Sequence, residues 1–232
     1  MHNKTKQITH LCTYCNKEFA RERTLESHAC EPRRRIRAKN EKDTIIGYET
    51  FQRFYRYTQG SSRKQKTFED FISSPYYLAF IRFGQYCIRT NVISSTRFAD
   101  FLIKNNIHLD AWNTDASYTK FLIYFIPIEP VNDALTRTIE YAIMWGDSKN
   151  KDYNDLFRVC SLNSLCHAIN TGQISPWVIY LSDSGQSFIS MLEHYQHEAI
   201  WDMIDVGIWE RKFKDNKEDV DFAKNILSIG GW

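Results

Sequence analysis

Three cysteines and one histidine within nineteen residues constrain this chain more than any other feature of its sequence. Cys12 and Cys15 are separated by two residues, and His28 and Cys30 follow in the same short segment. A C-x2-C turn directs two thiolates toward one tetrahedral ion. Residues 1–9 are polar and basic and carry no apolar export signal. The cluster therefore predicts a metal site rather than a disulfide framework.

Two apolar residues stand between the two pairs of candidate ligands. Phe19 follows Cys15 after three residues, and Leu25 follows Phe19 after five. His28 comes two residues after Leu25, so twelve residues separate Cys15 from His28. This pattern resembles the C2H2 zinc finger. The resemblance implies a ββα unit at residues 10–30 that binds zinc and uses the aromatic ring and the leucine as its core.

The fourth ligand departs from the pattern of that family. The family has a second histidine three to five residues after the first, whereas here Cys30 follows His28 after one residue. Residues two apart point to nearly opposite sides of a helix. We therefore expect the helix to unwind after His28, so that Cys30 reaches the ion from a turn. His10 is the alternative ligand. We predict a C2HC set of Cys12, Cys15, His28 and Cys30, because the Cys30 thiolate already lies beside the site.

The resemblance also implies positions that contact nucleic acid. When such a finger reads DNA, the side chains just before, three into and six into its helix contact base edges. The matched spacing puts Arg21, Thr24 and Ser27 at those positions. Lys17 and Arg23 carry charges suited to phosphate groups. One finger covers roughly three base pairs, so we expect it to contribute little sequence specificity.

A basic segment with almost no apolar content follows the finger. We predict a finger at residues 1–30, a basic linker at residues 31–45 and a helical domain at residues 46–232. The linker cations that we expect to contact phosphates are Arg33, Arg34, Arg35, Arg37 and Lys39. Through Arg97 the chain has 19 Lys and Arg against 9 Asp and Glu, and from Phe98 onward it has 11 against 19. This asymmetry indicates that the first part of the chain faces an anionic partner.

A second basic group alternates with aromatic residues. Its cations are Arg53, Arg56, Arg63, Lys64 and Lys66, and its aromatic residues are Tyr48, Phe51, Phe54, Tyr55 and Tyr57. Aromatic rings in such a pattern can stack on unpaired bases while the cations follow the backbone. The alternative is that the rings form a core and the arginines form its solvated face.

Helical periodicity recurs from residue 46 to the end of the chain. We predict helices at residues 47–60, 74–87, 95–105, 129–145, 154–170, 188–203 and 220–227. Residues 121–128 and 177–181 could instead be short strands, because they adjoin proline and are rich in Ile, Tyr and Val. The predicted fold is mainly α, with an N-terminal ββα zinc finger followed by a multi-helix globular domain.

Catalytic motifs are missing from the sequence, which has no Gly-rich phosphate loop, no HExxH and no GxSxG. His194, His197 and Glu198 have helical spacing that could hold a metal, but such groups are common on amphipathic helices. Cys166 and His167 are adjacent, so their side chains point apart. We therefore predict that the protein is not an enzyme.

Three further segments, KTFEDFISSPYYLAFIRFGQYC, ISPWVIYLSDSG and WERKFKD, carry a second resemblance. They resemble an uncharacterised protein group of T4-type tailed bacteriophages, which implies a phage-encoded protein that acts in the host cytoplasm. No apolar run approaches the length that spans a bilayer. We therefore expect a cytoplasmic protein without a membrane partner.

These features predict a zinc-finger accessory protein that binds nucleic acid, DNA more readily than RNA. The finger and the basic run would hold the nucleic acid, and the helical domain would engage a protein partner. The alternative is a protein-interaction or assembly factor. In that case the zinc finger is a structural clip, and the basic segment meets an acidic protein surface.

Overall fold

The computed structural model describes residues 10–60 and 64–232, so the predictions that rest on residues 1–9 and on Arg63 lie outside the described residues. The chain divides into two compact units, Met1–Ile88 and Arg89–Trp232. The described part is mainly helical, and its one sheet has two strands near the N-terminus. The prediction of a mainly α protein is confirmed. No helix of the described part is both long enough and apolar enough to cross a membrane.

The first unit begins with the small sheet. Strand β1 (His10–Leu11) pairs with the antiparallel strand β2 (Glu18–Phe19), and His10 lies opposite Phe19. Five helices follow: α1 (Glu22–Glu26), α2 (Glu31–Arg37), α3 (Lys42–Gln59), α4 (Phe68–Ser73) and α5 (Tyr77–Arg89), the last of which ends at the unit boundary. The order β1, β2, α1 is the ββα order that the finger resemblance implies.

The segment that we predicted to be a linker is helical. Helix α2 is followed by a 3-10 turn, Ala38–Asn40, which leads into α3. Arg35 holds α2 in place, because its Nη1 donates a 2.5 Å hydrogen bond to the carbonyl of Ile72. Its guanidinium also lies 4.3 Å from the ring centroid of Tyr77. One arginine of the basic run therefore packs against α4 and α5, although we expected all of its cations to contact phosphates.

Aromatic side chains form the core of the first unit. The ring of Phe51 lies 5.3 Å from that of Phe71 and 5.5 Å from that of Phe80, measured between centroids. The rings of Phe71 and Tyr77 are 4.9 Å apart. These contacts join α3 to α4 and α5. The core alternative for the aromatic group is thus correct for Phe51, which is buried, whereas Tyr57 is 46% exposed.

The second unit is built entirely of helices within its described residues. These are α6 (Ser95–Lys104), α7 (Asp115–Phe125), α8 (Val131–Lys149), α9 (Leu156–Val159), α10 (Leu162–Asn170), α11 (Pro176–Leu181), α12 (Asp183–Met191), α13 (His194–Ile204), α14 (Val206–Asp215) and α15 (Lys217–Ile229). Helix α11 packs against α8, α12 and α15. Its Trp177 is fully buried and meets the equally buried Trp209 at a centroid distance of 5.9 Å. The core of this unit therefore surrounds α11.

The strand alternative for two apolar segments is wrong. Residues 121–128 form the end of α7 and a 3-10 turn, and residues 177–181 belong to α11. In α11 the side chains of Trp177, Val178 and Ile179 are all buried. A helix that is buried on every side lacks the amphipathic period, so a short run of this kind cannot be told from a buried strand by its pattern.

Two predicted helices are each divided in the structure. Helix α9 ends at Val159, and α10 begins after Ser161, whose hydroxyl accepts a hydrogen bond from the backbone N–H of Ser164. Helix α12 likewise ends at Met191, and α13 begins after Glu193, which forms a capping box. Capping side chains satisfy backbone groups that a continuous helix would pair internally. These caps explain why the predicted helices at residues 154–170 and 188–203 are interrupted.

Candidate metal centre

Cys12 and Cys15 lie in the turn that joins β1 to β2. The backbone N–H of Cys12 donates to the carbonyl of Lys17, and that of Asn16 donates to the carbonyl of Cys12, both at 2.9 Å. Asn16 has a φ of 56°, a left-handed conformation that asparagine adopts more readily than most residues. The local backbone thus closes the C-x2-C turn that the sequence predicts.

His28 and Cys30 come from the chain that follows α1. We expected the helix to unwind after His28, but α1 already ends at Glu26, so His28 lies outside it. The imidazole packs against the ring of Phe19 at a centroid distance of 4.8 Å. Cys30 then precedes α2 in an extended conformation, with φ of −88° and ψ of 107°. Because α1 ends before His28, neither His28 nor Cys30 has to reach the ion from a face of that helix.

The four side chains converge on one point. The ligand atoms of Cys12, Cys15, His28 and Cys30 all lie within 4.8 Å of one another. The Sγ atoms of Cys12 and Cys30 are 3.7 Å apart, and the Sγ of Cys15 is 3.2 Å from the Nε2 of His28. Tetrahedral zinc with Zn–S bonds of about 2.3 Å and Zn–N bonds of about 2.1 Å separates two sulfurs by about 3.8 Å and a sulfur from a nitrogen by about 3.6 Å. The cluster is therefore close enough to hold a metal ion and fits a C2HC zinc finger.

The pKa values of two of the candidate ligand thiols, Cys12 and Cys30, are shifted in opposite directions. The pKa of Cys12 is lowered to about 6, chiefly because a backbone hydrogen bond at Tyr14 stabilises its thiolate. Burial raises the pKa of the Cys30 thiol. Cysteine binds metals as the thiolate. Cys12 is therefore ready to bind an ion at neutral pH, whereas Cys30 must release a proton when the ion binds.

The alternative metal ligands do not join this cluster. His10 is not part of it, although it lies in the adjoining strand β1. Within residues 10–60 and 64–232, no other group of three or more His, Cys, Asp or Glu side chains is close enough to share an ion. His194 and Glu198 form only an exposed pair, with 3.4 Å between Nε2 and Oε1. Sequence spacing alone therefore selected the residues that converge.

The predicted base-contacting residues lie on the outside of the finger. Arg21, Thr24 and Ser27 are all exposed, as are Lys17 and Arg23. The hydroxyl of Ser27 donates to the carbonyl of Arg23 at 2.9 Å, which leaves its oxygen able to accept a hydrogen bond. Thr24 lies within α1, whereas Arg21 and Ser27 are its N-cap and C-cap residues. They are accessible to a partner, as the prediction requires.

The cations of α2 and the adjoining turn divide into two groups. Arg34, Arg37 and Lys39 are exposed, although Arg34 forms a 2.9 Å ion pair with Glu31. Arg35 is half-buried in the contacts to α4 and α5 described above. Arg33 is also half-buried, and its guanidinium carbon lies 6.0 Å from the ring centroid of Tyr14. Arg35 thus contributes to packing, and its contact with phosphate stays a prediction.

A cleft of about 710 Å³ adjoins the cluster inside the first unit. Arg33, Arg34 and Arg37 line it from α2, and Arg82 lines it from α5. Sequence patterns did not point to Arg82, because it lies forty-five residues after Arg37 and only the packing of α5 brings it there. Glu26, Glu41 and Asp43 also line the cleft, so its charge is mixed.

Comparisons with known proteins identify no relative. Neither a protein-family model, nor a curated protein, nor a solved structure matches this chain. The likeness to tailed-phage proteins therefore rests on the three quoted segments alone.

Proposed function

We propose that residues 10–30 bind one zinc ion and that the protein binds nucleic acid, DNA in preference to RNA, through the finger and the adjoining helix α2. The convergence of Cys12, Cys15, His28 and Cys30 carries this proposal. A tetrahedral site of thiolates and one imidazole favours zinc among the common metals. A finger this small has almost no apolar core, so the bound ion would supply most of its stability.

Charge supports an anionic partner for the first unit. Residues 1–88 contain 17 Lys and Arg against 9 Asp and Glu, a net charge of +8. Residues 89–232 contain 13 against 19, a net charge of −6. The exposed Arg21, Arg23, Arg34 and Arg37 lie on or beside the two helices that flank the metal ligands. Phosphate contacts by such cations provide most of the affinity of non-specific nucleic-acid binding.

A protein-interaction factor is the second candidate function. One observation favours it: Arg35 anchors α2 through Ile72 and Tyr77, so the chain that leaves the finger is part of a packed unit. A metal-closed finger in such a setting can act as a structural clip. The basic surface would then meet an acidic protein. A phage-encoded origin is compatible with both functions and is proposed only on the segments quoted above.

The zinc content of the purified protein tests the first half of the proposal. Elemental analysis should find one zinc per chain, and Cys15→Ser should abolish tight binding because it removes a thiolate from a four-ligand site. Cys87→Ser is the matched control, since Cys87 is buried in the helical part of the first unit. Stoichiometric zinc in the Cys15→Ser protein would contradict the ligand assignment.

Binding to duplex DNA, single-stranded DNA and RNA at several salt concentrations tests the second half. Each phosphate contact contributes about 0.9 to the slope of log affinity against log salt for duplex DNA. Replacing Arg33, Arg34 and Arg37 with alanine should lower this slope by about 2 to 3, whereas Arg35 stays unchanged because it supports the fold. The control Lys120→Ala/Lys214→Ala/Lys224→Ala removes three exposed cations of the second unit and should leave the slope unchanged.

The same assay separates the two candidate functions. If the parent protein binds none of the three nucleic acids at low salt, the nucleic-acid proposal fails and the protein-interaction function takes its place. If it binds, Arg21→Ala should change the preference among duplex sequences, since arginine at this position can address guanine. Equal loss for all sequences would assign Arg21 to phosphate contact instead.

A further inference from the structure

A second basic site lies away from the metal cluster, where α3 ends. It is a pocket of about 170 Å³, lined by Gln52, Tyr55, Arg56, Gln59, Gly60, Lys64, Gln65 and Lys66. This volume is several times the roughly 30 Å³ that one water occupies but falls below the 300–1,000 Å³ typical of small-molecule pockets. The pocket therefore suits a compact group rather than a whole drug-sized ligand.

The lining of this pocket has one sign of charge. Among the described residues, its charged members are Arg56, Lys64 and Lys66, and none of its lining residues is a carboxylate. The glutamine amides add neutral hydrogen-bond donors. The C-terminal end of a helix carries roughly half a negative charge, so the end of α3 offsets only part of the three positive charges. The pocket thus favours an anion that accepts several hydrogen bonds.

Side-chain contacts from α3 hold Lys66 in place. Gln52 Nε2 and the hydroxyl of Tyr48 both donate to the carbonyl of Lys66, at 2.8 and 3.2 Å. The ammonium of Lys66 lies 5.1 Å from the ring centroid of Tyr55. These contacts hold Lys66 against α3, so this side of the pocket is defined by contacts of both the Lys66 backbone and the ring of Tyr55.

Asp70, the carboxylate on which the charges of Lys64 and Lys66 act, belongs to a helix cap. Asp70 accepts a 2.8 Å hydrogen bond from the backbone N–H of Thr67 as part of the capping box of α4. This hydrogen bond is the main reason that the pKa of Asp70 is lowered, and the positive charges of Lys66 and Lys64 add to the effect. None of Arg56, Lys64 and Lys66 forms an ion pair with a carboxylate among the described residues. Their charges are therefore available to a ligand.

We infer that Arg56, Lys64 and Lys66 form a phosphate-binding pocket that holds one backbone phosphate of a nucleic acid. The assignment of this phosphate to a nucleic acid rests on the proposed function. A phosphodiester is a compact anion with several acceptor oxygens, which suits a small pocket lined by three cations, and Tyr55 also lines this pocket. The pocket would provide a contact point for the strand that is separate from the finger.

The variant Arg56→Gln/Lys64→Gln tests the pocket in the full chain with its metal bound. Lys120→Gln/Lys224→Gln removes two exposed cations of the second unit and is the matched control. The probes are a single-stranded DNA 20-mer and inorganic phosphate. One lost phosphate contact should lower the salt slope for single strands by about 0.7, which corresponds to about fivefold weaker binding at 0.1 M salt. The control should match the parent.

Each outcome decides between the pocket and the proposed function. If the parent binds the 20-mer but the pocket variant behaves like the control, the pocket inference is overturned and the proposed function stands. If the parent binds only inorganic phosphate, and the pocket variant loses that binding, the pocket stands as a site for free phosphate and its nucleic-acid source is overturned. If the parent binds neither probe, both proposals fail. Circular dichroism of the pocket variant and of the control should match that of the parent, since the two side chains altered in each are exposed.

Discussion

Neighbouring arginines of the same basic run differ in exposure and in their contacts. Arg34 and Arg37 are exposed, whereas Arg35 is half-buried and bonded to the carbonyl of Ile72. The difference arises from helix geometry, because successive residues of a helix point about 100° apart. A mutational study that replaces the whole run would therefore mix loss of charge with loss of packing. Variants of Arg34 and Arg37 separate the two effects.

An ion pair in the second unit is almost entirely buried. Arg137 and Glu129 form it, with 14% and 3% of their side chains exposed, and the second pair of atoms, Nη2 and Oε2, is 2.7 Å apart. The Nε of Arg137 also donates to the carbonyl of Gly172 at 2.7 Å. The guanidinium thus links α8 to the turn before α11.

We predict that Arg137→Ala destabilises the second unit by about 3–5 kcal/mol, because it leaves the Glu129 carboxylate buried without a partner. Urea unfolding followed by tryptophan fluorescence measures this loss, since all six tryptophans lie after residue 88. The double variant Glu129→Gln/Arg137→Met should recover much of the stability, because it removes both charges and keeps the volume. A double variant no more stable than Arg137→Ala would show that the charge is not the cause.

Helices α3 and α5 of the first unit approach each other closely at two glycine residues. A Cβ atom on Gly84 of α5 would lie 2.2 Å from the carbonyl oxygen of Asp43 at the start of α3, and one on Gly47 would lie 2.9 Å from the carbonyl oxygen of Phe80. The opposing atoms belong to the backbone, so they cannot rotate away as a flexible side chain could. Glycine at both positions is therefore what allows α3 and α5 to pack closely.

We predict that Gly84→Ala destabilises the first unit by about 1–3 kcal/mol, because the helices must separate to admit the methyl group. Hydrogen exchange of peptides from α3 and α5 should show faster opening. Gly207→Ala in the first turn of α14 is the control, since its Cβ would meet only the Asp205 side chain at 3.3 Å. That change should alter stability by less than about 1 kcal/mol. Unchanged exchange in Gly84→Ala would contradict the close crossing.

At the scale of the whole molecule, net charge and tryptophan content differ between the two compact units. The first unit has a net charge of +8 and no tryptophan, and the second has −6 and all six: Trp112, Trp145, Trp177, Trp201, Trp209 and Trp232. The four candidate metal ligands all lie in the first unit. Tryptophan fluorescence therefore reports on the part of the molecule that contains no metal ligand.

We predict that EDTA unfolds residues 10–30 but leaves tryptophan emission and most helical circular dichroism unchanged. The finger depends on the ion, whereas the second unit is held by a core around Trp177 and Trp209. Mass spectrometry after hydrogen exchange would locate the loss of protection. Cys15→Ser should reproduce the effect without chelator. A shift of tryptophan emission toward that of the unfolded chain would show that the second unit needs the metal.

The sequence by itself determined the metal cluster and the helical class. Both are local: the spacing of Cys12, Cys15 and His28 sets a turn and a short unit, and apolar residues three and four apart define one face of a helix. Capping residues are local too, yet Ser161 and Glu193 were read as helix interior because the apolar pattern continued across them. The apolar pattern thus located these two helical segments but not the break within each.

Only the tertiary structure decided which residues share a site when they are far apart in sequence. Packing of α5 brings Arg82 to the cleft beside Arg37, buries Arg35 against Tyr77, and requires glycine at position 84. The apolar run of α11 packs against several neighbouring helices, and successive side chains in it are buried. Its sequence therefore shows no amphipathic period from which the helix could be predicted. Contacts of this kind depend on how separate helices meet, and a linear pattern holds no information on distances between elements.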